Sequence, residues 1–288
     1  LANGRHIGAE PLTLNGAGDG FAGALTSIGG YNTWAGTVTL ATDSVITVQT
    51  NRYLNLEGAI VGPAGFIKSQ PGGLILSGST TNTFAGNTVV NEGTLILDKN
   101  NTVPPFAGPA IRHGQLIIGD GLGGPDADIV REMDQSQIAH IPITINSSGW
   151  LDLNGHNDTV GPLTFSAGRA SSGPGGQLVL GGNVTANYVS AGRPSLEGSV
   201  VLSGQRTFEI ANSSGSPDFD LLAAVSGAGG LTKTGPGALA VHSANSFSGA
   251  VMVSDGLVYL YDDAALGSTA GGTVVNAGGV LVLANGRH

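Results

Sequence analysis

Acidic and histidine side chains near glycine-rich turns are the first residues whose types could do chemistry. Asp152 and Asp158 flank His156 in the stretch LDLNGHND, and Asp218 and Asp220 lie close together in SPDFD. Paired carboxylates can protonate a leaving group and activate water, as glycosidic cleavage requires. Asp152, however, alternates with leucines, so we expect it to point outward from a strand. These residues therefore favour a structural role, and we expect no catalytic residue.

A glycine-rich loop, GDGLGGPDAD, is a second candidate. Asp120, Asp126 and Asp128 offer carboxylate oxygens of the kind that Ca²⁺ prefers. Their spacing fits neither an EF-hand nor the Gly-Gly-x-Gly-x-Asp calcium repeat, so this is only a weak calcium candidate and a helix-capping loop is favoured. The sequence has no cysteine, and its histidines are not paired at metal-ligand spacing. We expect no other metal site and no cofactor.

The charge balance limits the classes of partner. The formal net charge is −9, and lysine occurs only at positions 68, 99 and 233. Nucleic-acid binding needs a basic stripe, which this chain lacks. No run of 18 apolar residues occurs, so we expect no membrane insertion of this segment.

Two stretches, Gly65–Leu97 and Gly230–Leu260, repeat one pattern. Both contain a lysine followed by the kernel Asn-x-aromatic-x-Gly, and the kernel occurs a third time near the N-terminus. The recurring residues are Lys68, Asn82, Phe84 and Gly86; Lys233, Asn245, Phe247 and Gly249; and Asn32, Trp34 and Gly36. We expect the lysines to cap turns or protect edges, the asparagines to bond turns or form a ladder, and the aromatic rings to stack in the core.

A longer repeat links the two ends. Leu1–His6 and Leu283–His288 are both LANGRH, an offset of 282 residues. In addition, Ile145–Phe165 matches Val275–His288 when the latter is continued by Ile7–Leu14. We interpret the chain as one period of a tandem array, because a repeat at this spacing is the signature of such arrays.

Short alternating segments such as GTVTL, GTLILD and GQLVLGG are separated by Gly or Asn, without regular helical crossovers. They predict an all-β fold, and the array favours a right-handed parallel β-helix (β-solenoid) over an antiparallel sandwich or barrel. About 20–25 residues per coil would give roughly 11–14 coils. We expect residues 1–288 to form a single elongated solenoid with diverged internal units at approximately 7–130 and 131–282.

One segment, Gly119–His140, interrupts this rhythm. Aspartates are placed where they could cap the N-terminus of a helix. Four apolar residues follow at near-helical spacing: Ile129, Val130, Met133 and Ile138. We predict a short helical insertion near residues 126–139.

The stretches GGLTKTGPGALAVHSANSFSGAVMVSDGLVYL and INSSGWLDLNGHNDTVGPLTF resemble the autotransporter-associated β-strand repeat, or passenger-associated transport repeat, of bacterial surface proteins. The resemblance covers most of Gly58–Leu97, Gly114–Ala167 and Gly227–His288. It implies a secreted or surface-displayed β-helical passenger that serves as a stalk, adhesin or fibre, located outside the cell or on the bacterial cell surface.

These observations together predict a non-enzymatic structural repeat of a long extracellular fibre. Its partners would be neighbouring copies of itself, stacked end to end, either covalently in tandem or head to tail. An adhesin that binds a surface or carbohydrate ligand is the alternative, and a polysaccharide-active β-helix enzyme is less favoured.

Overall fold

The fold is all-β, as the sequence predicted. The computed structural model describes residues 1–104, 106–190 and 192–284. They form a parallel β-solenoid of about 12 turns. Residues 285–288, which complete the second LANGRH segment, lie outside the described residues.

The described residues contain thirty strands, which make up the coils. The first fifteen are β1 (His6–Ile7), β2 (Leu12–Leu14), β3 (Leu25–Ser27), β4 (Tyr31–Trp34), β5 (Val38–Leu40), β6 (Ser44–Val48), β7 (Tyr53–Leu56), β8 (Ile60–Val61), β9 (Phe66–Ser69), β10 (Gly73–Gly78), β11 (Thr88–Val90), β12 (Gly93–Lys99), β13 (Leu116–Ile118), β14 (Asp128–Glu132) and β15 (Ile143–Asn146). The others are β16 (Gly149–Asp152), β17 (Asn157–Val160), β18 (Leu163–Ser166), β19 (Arg169–Ser171), β20 (Gln177–Leu180), β21 (Val184–Ala186), β22 (Ser195–Glu197), β23 (Ser199–Leu202), β24 (Arg206–Ile210), β25 (Phe219–Leu221), β26 (Ala224–Ser226), β27 (Leu231–Thr234), β28 (Ala238–Val241), β29 (Val251–Leu260) and β30 (Thr273–Leu283).

The strands group into two compact units. The first contains Leu1–Ile143 and Ser148–Asp152, and the second contains Thr144–Ser147 and Leu153–His288. Within each unit, strands of successive coils pair in parallel register, so one coil lies about 4.8 Å from the next.

Parallel register stacks like residues on like in the interior. In the first unit a continuous ladder runs through fully buried side chains: Leu54, Leu74, Leu95, Val130 and Leu151. In the second unit an equivalent ladder is also buried: Leu196, Leu221, Val241 and Leu260. The period-2 alternation of the sequence therefore places one face of each strand in an apolar core.

The helix predicted near residues 126–139 is wrong. Residues 128–132 form strand β14, which pairs in parallel with β12 on one side and β16 on the other. Asp128 and Glu132 occupy inward positions with Val130 between them, so carboxylates conceal the alternation that a strand normally shows. Pairing on both sides overrides the weak helical spacing.

Helical structure is limited to one short turn. Among the described residues, the 3₁₀ turn Asp19–Phe21 is the sole helical element. Accordingly, no helix in that part of the chain is long and apolar enough to cross a membrane.

Candidate functional site

The recurring lysines lie at corners where one coil meets the next. The Lys68 ammonium donates hydrogen bonds to the carbonyl oxygens of Ser69 (3.4 Å) and Gln70 in its own turn, and to that of Glu92 (2.6 Å) in the following coil. Each corner thus gathers three carbonyl groups around one cation, which is a strong, charge-assisted arrangement.

The second repeat builds the same corner. Lys233 donates to the carbonyl oxygens of Thr234 (2.8 Å) and Gly235 (2.7 Å), and to that of Asp255 (3.1 Å) one coil further on. Both lysines therefore cap a turn and join two coils. Both are also fully buried, so they do not guard an exposed strand edge.

Burial sets the protonation behaviour of these lysines. Desolvation lowers the pKa of Lys68 and of Lys233 to about 8, against a partial opposing effect of nearby carboxylates. Glu92 and Asp128 raise the pKa of Lys68, and Asp255 and Asp218 raise that of Lys233, but by less than burial lowers it. A depressed pKa records the cost of removing an ammonium group from water.

A glycine follows each corner in the next coil because the backbone there is left-handed. Gly93 has φ +73° and Gly256 has φ +71°, and a Cβ at either position would collide with the carbonyl groups of the preceding turn. Only glycine adopts such a conformation at little cost.

The motif asparagines connect three successive coils. Asn82 accepts a hydrogen bond from the Ile60 amide (2.9 Å) and donates to the Ala110 carbonyl (2.9 Å). Asn245 accepts from the Val225 amide (2.7 Å) and donates to the Ala265 carbonyl (2.6 Å). The four bonds are buried, so each amide side chain satisfies backbone groups that no strand pairing reaches.

The aromatic residue and the glycine of the kernel complete the packing. Phe84 and Phe247 are buried in the core. At Gly36, Gly86 and Gly249 a Cβ would lie within 3.0 Å of the backbone of the preceding coil. The glycine is therefore required by the close approach of two coils.

The N-terminal copy of the kernel is only partly equivalent. Asn32 accepts from the Arg5 amide (2.8 Å), but its side chain donates within its own coil, to Ser27 and to the Gly29 carbonyl. Trp34 is half-buried instead of in the core, because its indole N–H reaches outward to the Glu10 carbonyl (2.8 Å).

The aspartates of the glycine-rich loop differ in burial. Asp128 is 1% exposed on the inward face of β14, and burial raises its pKa to about 6. Asp120 instead bonds the Leu122 amide in a turn of its own loop, and is exposed. Among the described residues, no three His, Asp or Glu side chains are grouped to hold a metal ion.

The remaining acidic candidates have local partners. Asp152 is buried, and the Arg131 Nε lies 2.7 Å from its carboxylate. Asp220 pairs with Arg193 (2.9 Å) and with His242 (2.9 Å).

Asp218 is held by backbone amides. Its two carboxylate oxygens accept hydrogen bonds from the Ser213 and Ala238 N–H groups. This arrangement, with one carboxylate fixed by backbone amides and its neighbour by an arginine and a histidine side chain, suits a structural role.

Sequence reasoning missed a third buried lysine. Lys99 is fully buried, burial lowers its pKa to about 8, and its ammonium donates to the Gly58 carbonyl (3.1 Å). Its backbone exchanges two 2.8 Å hydrogen bonds with the side chain of buried Gln137. Lys99 does not belong to a repeated motif. One signal in the sequence did point to its burial: lysine is usually a surface residue, and a chain with three lysines does not use them to make its surface soluble.

Comparison with protein families identifies the two stretches that carry the paired corners. The passenger-associated transport repeat matches residues 66–97 and 231–258. Comparison with curated proteins and with solved structures gave no match.

Each matched segment contains a buried lysine corner, an asparagine connector, the core phenylalanine of the kernel and the glycines that permit them. Two segments of the chain therefore match the passenger-associated transport repeat, and both are built into the coils of a parallel β-solenoid.

Proposed function

We propose that this chain is a structural repeat of a long extracellular fibre or stalk on a bacterial surface, in which copies stack end to end. The transport-repeat family implies a surface or secreted location and suggests a non-enzymatic passenger. The fibre role rests on one observation: the lysine corners and asparagine connectors act only between neighbouring coils. Such nearest-neighbour contacts set no limit on the number of coils.

The last strand offers a surface for continuation. β30 pairs with β29 along one edge, and no strand among the described residues pairs with its other edge. Several of its apolar side chains are exposed: Val274 (52%), Val275 (46%), Val280 (49%) and Leu283 (81%). A following coil would cover them and pair their backbone groups.

The repeated hexapeptide supports the same register. Asn3 and Gly4 have φ +64° and +68°, and the aligned Asn154 and Gly155 have φ +49° and +87°. Leu1–His6 therefore makes the same left-handed turn as its internal counterpart. In a following copy this turn would lead through β1 into β2, which pairs with β5 and with no other strand among the described residues.

The mass of the fully denatured native protein tests the covalent form of this proposal. We expect a mass far above 28.6 kDa, in steps of one 282-residue period. A single species near 28.6 kDa would overturn the covalent array.

Two copies in one chain test the stacking itself. We expect a chain in which residue 7 of a second copy follows residue 288 of the first to unfold at a higher temperature than a single copy, because β30 gains a partner. The control inserts a flexible Gly/Ser linker of about 20 residues at the junction. Equal melting temperatures for the direct junction, the linker control and the single copy would contradict stacking.

A further inference from the structure

The outward positions of the first unit align into a row that crosses six coils. Parallel register places the members of this row side by side: Tyr31, Tyr53, Gly73, Thr94, Ile129 and Trp150. Successive members are about 4.8 Å apart along the row. A periodic surface of this kind fits a ligand that is itself periodic.

Two exposed tyrosine rings lie at one end. Tyr31 is 52% exposed and Tyr53 is 45% exposed, and their ring centroids are 6.0 Å apart with an interplanar angle of 31°. The Tyr53 ring lies over Gly73, where a Cβ would come within 2.6 Å of its Cδ1 atom. Glycine therefore lets this ring lie low against the sheet and present a face to solvent.

A tryptophan with a guanidinium above it lies at the other end. The Arg131 Cζ atom is 5.4 Å from the centroid of the Trp150 ring, and Arg131 Nε is 2.7 Å from Asp152. The arginine side chain is 35% exposed. A shallow cavity of about 150 Å³ separates the two ends, lined in part by Arg52, Thr94 and Ile96.

The physical character of this surface excludes several ligands. β4, β7, β10, β12 and β14 each pair with strands on both sides, so an added peptide strand finds no free backbone groups. Asp152 balances the Arg131 charge, and the chain carries a net charge of −9, so a polyanion is repelled. What remains is two tyrosine ring faces at one end, a tryptophan with an arginine over its ring at the other, and polar donors between them.

We infer that Tyr31, Tyr53, Arg131 and Trp150 form an aromatic strip that binds an extended, neutral polysaccharide laid across the strands. The C–H faces of sugar rings pack on the aromatic faces, and the free N–H groups of Arg131 and Arg52 donate to hydroxyls. This binding role is separate from the fibre role proposed above.

The second repeat provides a comparison. Its sequence aligns Ala238 with Gly73 and Leu257 with Thr94, so the ring-over-glycine arrangement is not reproduced there. The lysine corner and the asparagine connector are kept in both repeats, whereas the strip is not. The strip is therefore not a requirement of the fold.

Affinity electrophoresis in native gels that contain hydroxyethylcellulose or galactomannan tests the inference. We expect at least one of these polymers to retard the wild-type chain, and Tyr31→Ala/Tyr53→Ala to weaken that binding at least about tenfold. Tyr188→Ala is the matched control, since Tyr188 is 63% exposed and lies outside the strip. Tyr31→Phe/Tyr53→Phe keeps the ring faces and should retain binding, which separates lost stacking from altered folding.

Four results would overturn the inference. The first is no retardation by either neutral polymer, and the second is equal retardation of the wild type and the double alanine variant. The third is retardation by dextran sulfate alone. The fourth is self-association of the wild type in sedimentation that the double alanine variant loses. The last result would assign the strip to a second copy of this chain. Failure of stacking through β30 would leave the strip intact, so the two proposals fail independently.

Discussion

The Lys68 ammonium and the Glu92 carbonyl oxygen are 2.6 Å apart, although 24 residues separate them in the chain. The bond joins the end of one coil to the turn of the next, and Lys233 and Asp255 repeat it at 3.1 Å. Strand ladders hold the flat faces of a solenoid together, but the corners have no ladder. A cation that reaches three carbonyl groups supplies the missing connection.

Replacing a corner lysine should destabilise the solenoid. Lys68→Met and Lys233→Met each leave three carbonyl groups without their donor, and we expect each to lower the free energy of unfolding by about 2–3 kcal/mol. Urea denaturation followed by circular dichroism measures this. Lys99→Met is the matched control because its ammonium bonds one carbonyl group, so its loss should be smaller. Equal losses for all three variants would argue against the corner as the source of stability.

The same lysines should make stability depend on pH. The unfolded chain keeps these protons up to about pH 10.5, whereas the folded chain loses them at about pH 8. Between these values the unfolded state binds more protons, so the free energy of unfolding should rise with pH. We expect the rise in urea titrations from about pH 7 to about pH 9.5. Lys68→Met/Lys233→Met should remove most of it, and an unchanged slope would refute the assignment.

The buried aspartate of β14 should have the opposite pH dependence. The folded chain protonates Asp128 at about pH 6, above the ordinary value of 3.8, so stability should fall as pH rises through this interval. Asp128→Asn should raise the free energy of unfolding at neutral pH by about 1 kcal/mol. Asp126→Asn, in the neighbouring loop, is the control and should change it little. A destabilised Asp128→Asn chain would show that the charge is needed.

The sequence predicted the features that repeat. The order Lys68, Asn82, Gly86 recurs as Lys233, Asn245, Gly249, with two residues fewer between the lysine and the asparagine, and it marked the residues that connect coils. The period-2 interpretation of residues 94–97 placed Leu95 and Leu97 on one face, and both are buried in the core. Both signals are local in the sequence, which is why they could be recognised there.

Features that depend on one site could not be recognised in this way. Asp128 and Glu132 point inward, and their polarity hid strand β14 behind a helical pattern. The row from Tyr31 to Trp150 exists only through the register of six coils, whose loops differ in length. No period in the sequence reports which outward residues become neighbours.

The kernel glycine should tolerate no side chain. A Cβ at Gly86 would lie 2.5 Å from the Ala64 carbonyl carbon and closer still to the Gly65 nitrogen, both backbone atoms of the preceding coil. We expect Gly86→Ala to lower the free energy of unfolding by about 3 kcal/mol through overpacking. Gly8→Ala is the control, since nothing lies within 4 Å of its Cβ position. A neutral Gly86→Ala would show that the coils can separate there at no cost.

Replacing the motif asparagine should destabilise the solenoid, because two buried backbone groups lose their hydrogen-bond partner. Asn82→Leu keeps the volume but removes the acceptor of the buried Ile60 amide and the donor to the Ala110 carbonyl, so we expect a loss of about 3 kcal/mol. Asn157→Leu is the control, because Asn157 accepts a hydrogen bond from the Gln177 amide at an exposed position, where water can replace it.

Hydrogen exchange of single amides tests the role of Asn82 more directly. In Asn82→Leu the Ile60 amide should lose protection more than the amides of β7 and β10 do, since only the former loses its partner. Uniform loss across the coil would instead mean that the asparagine stabilises the solenoid through packing alone.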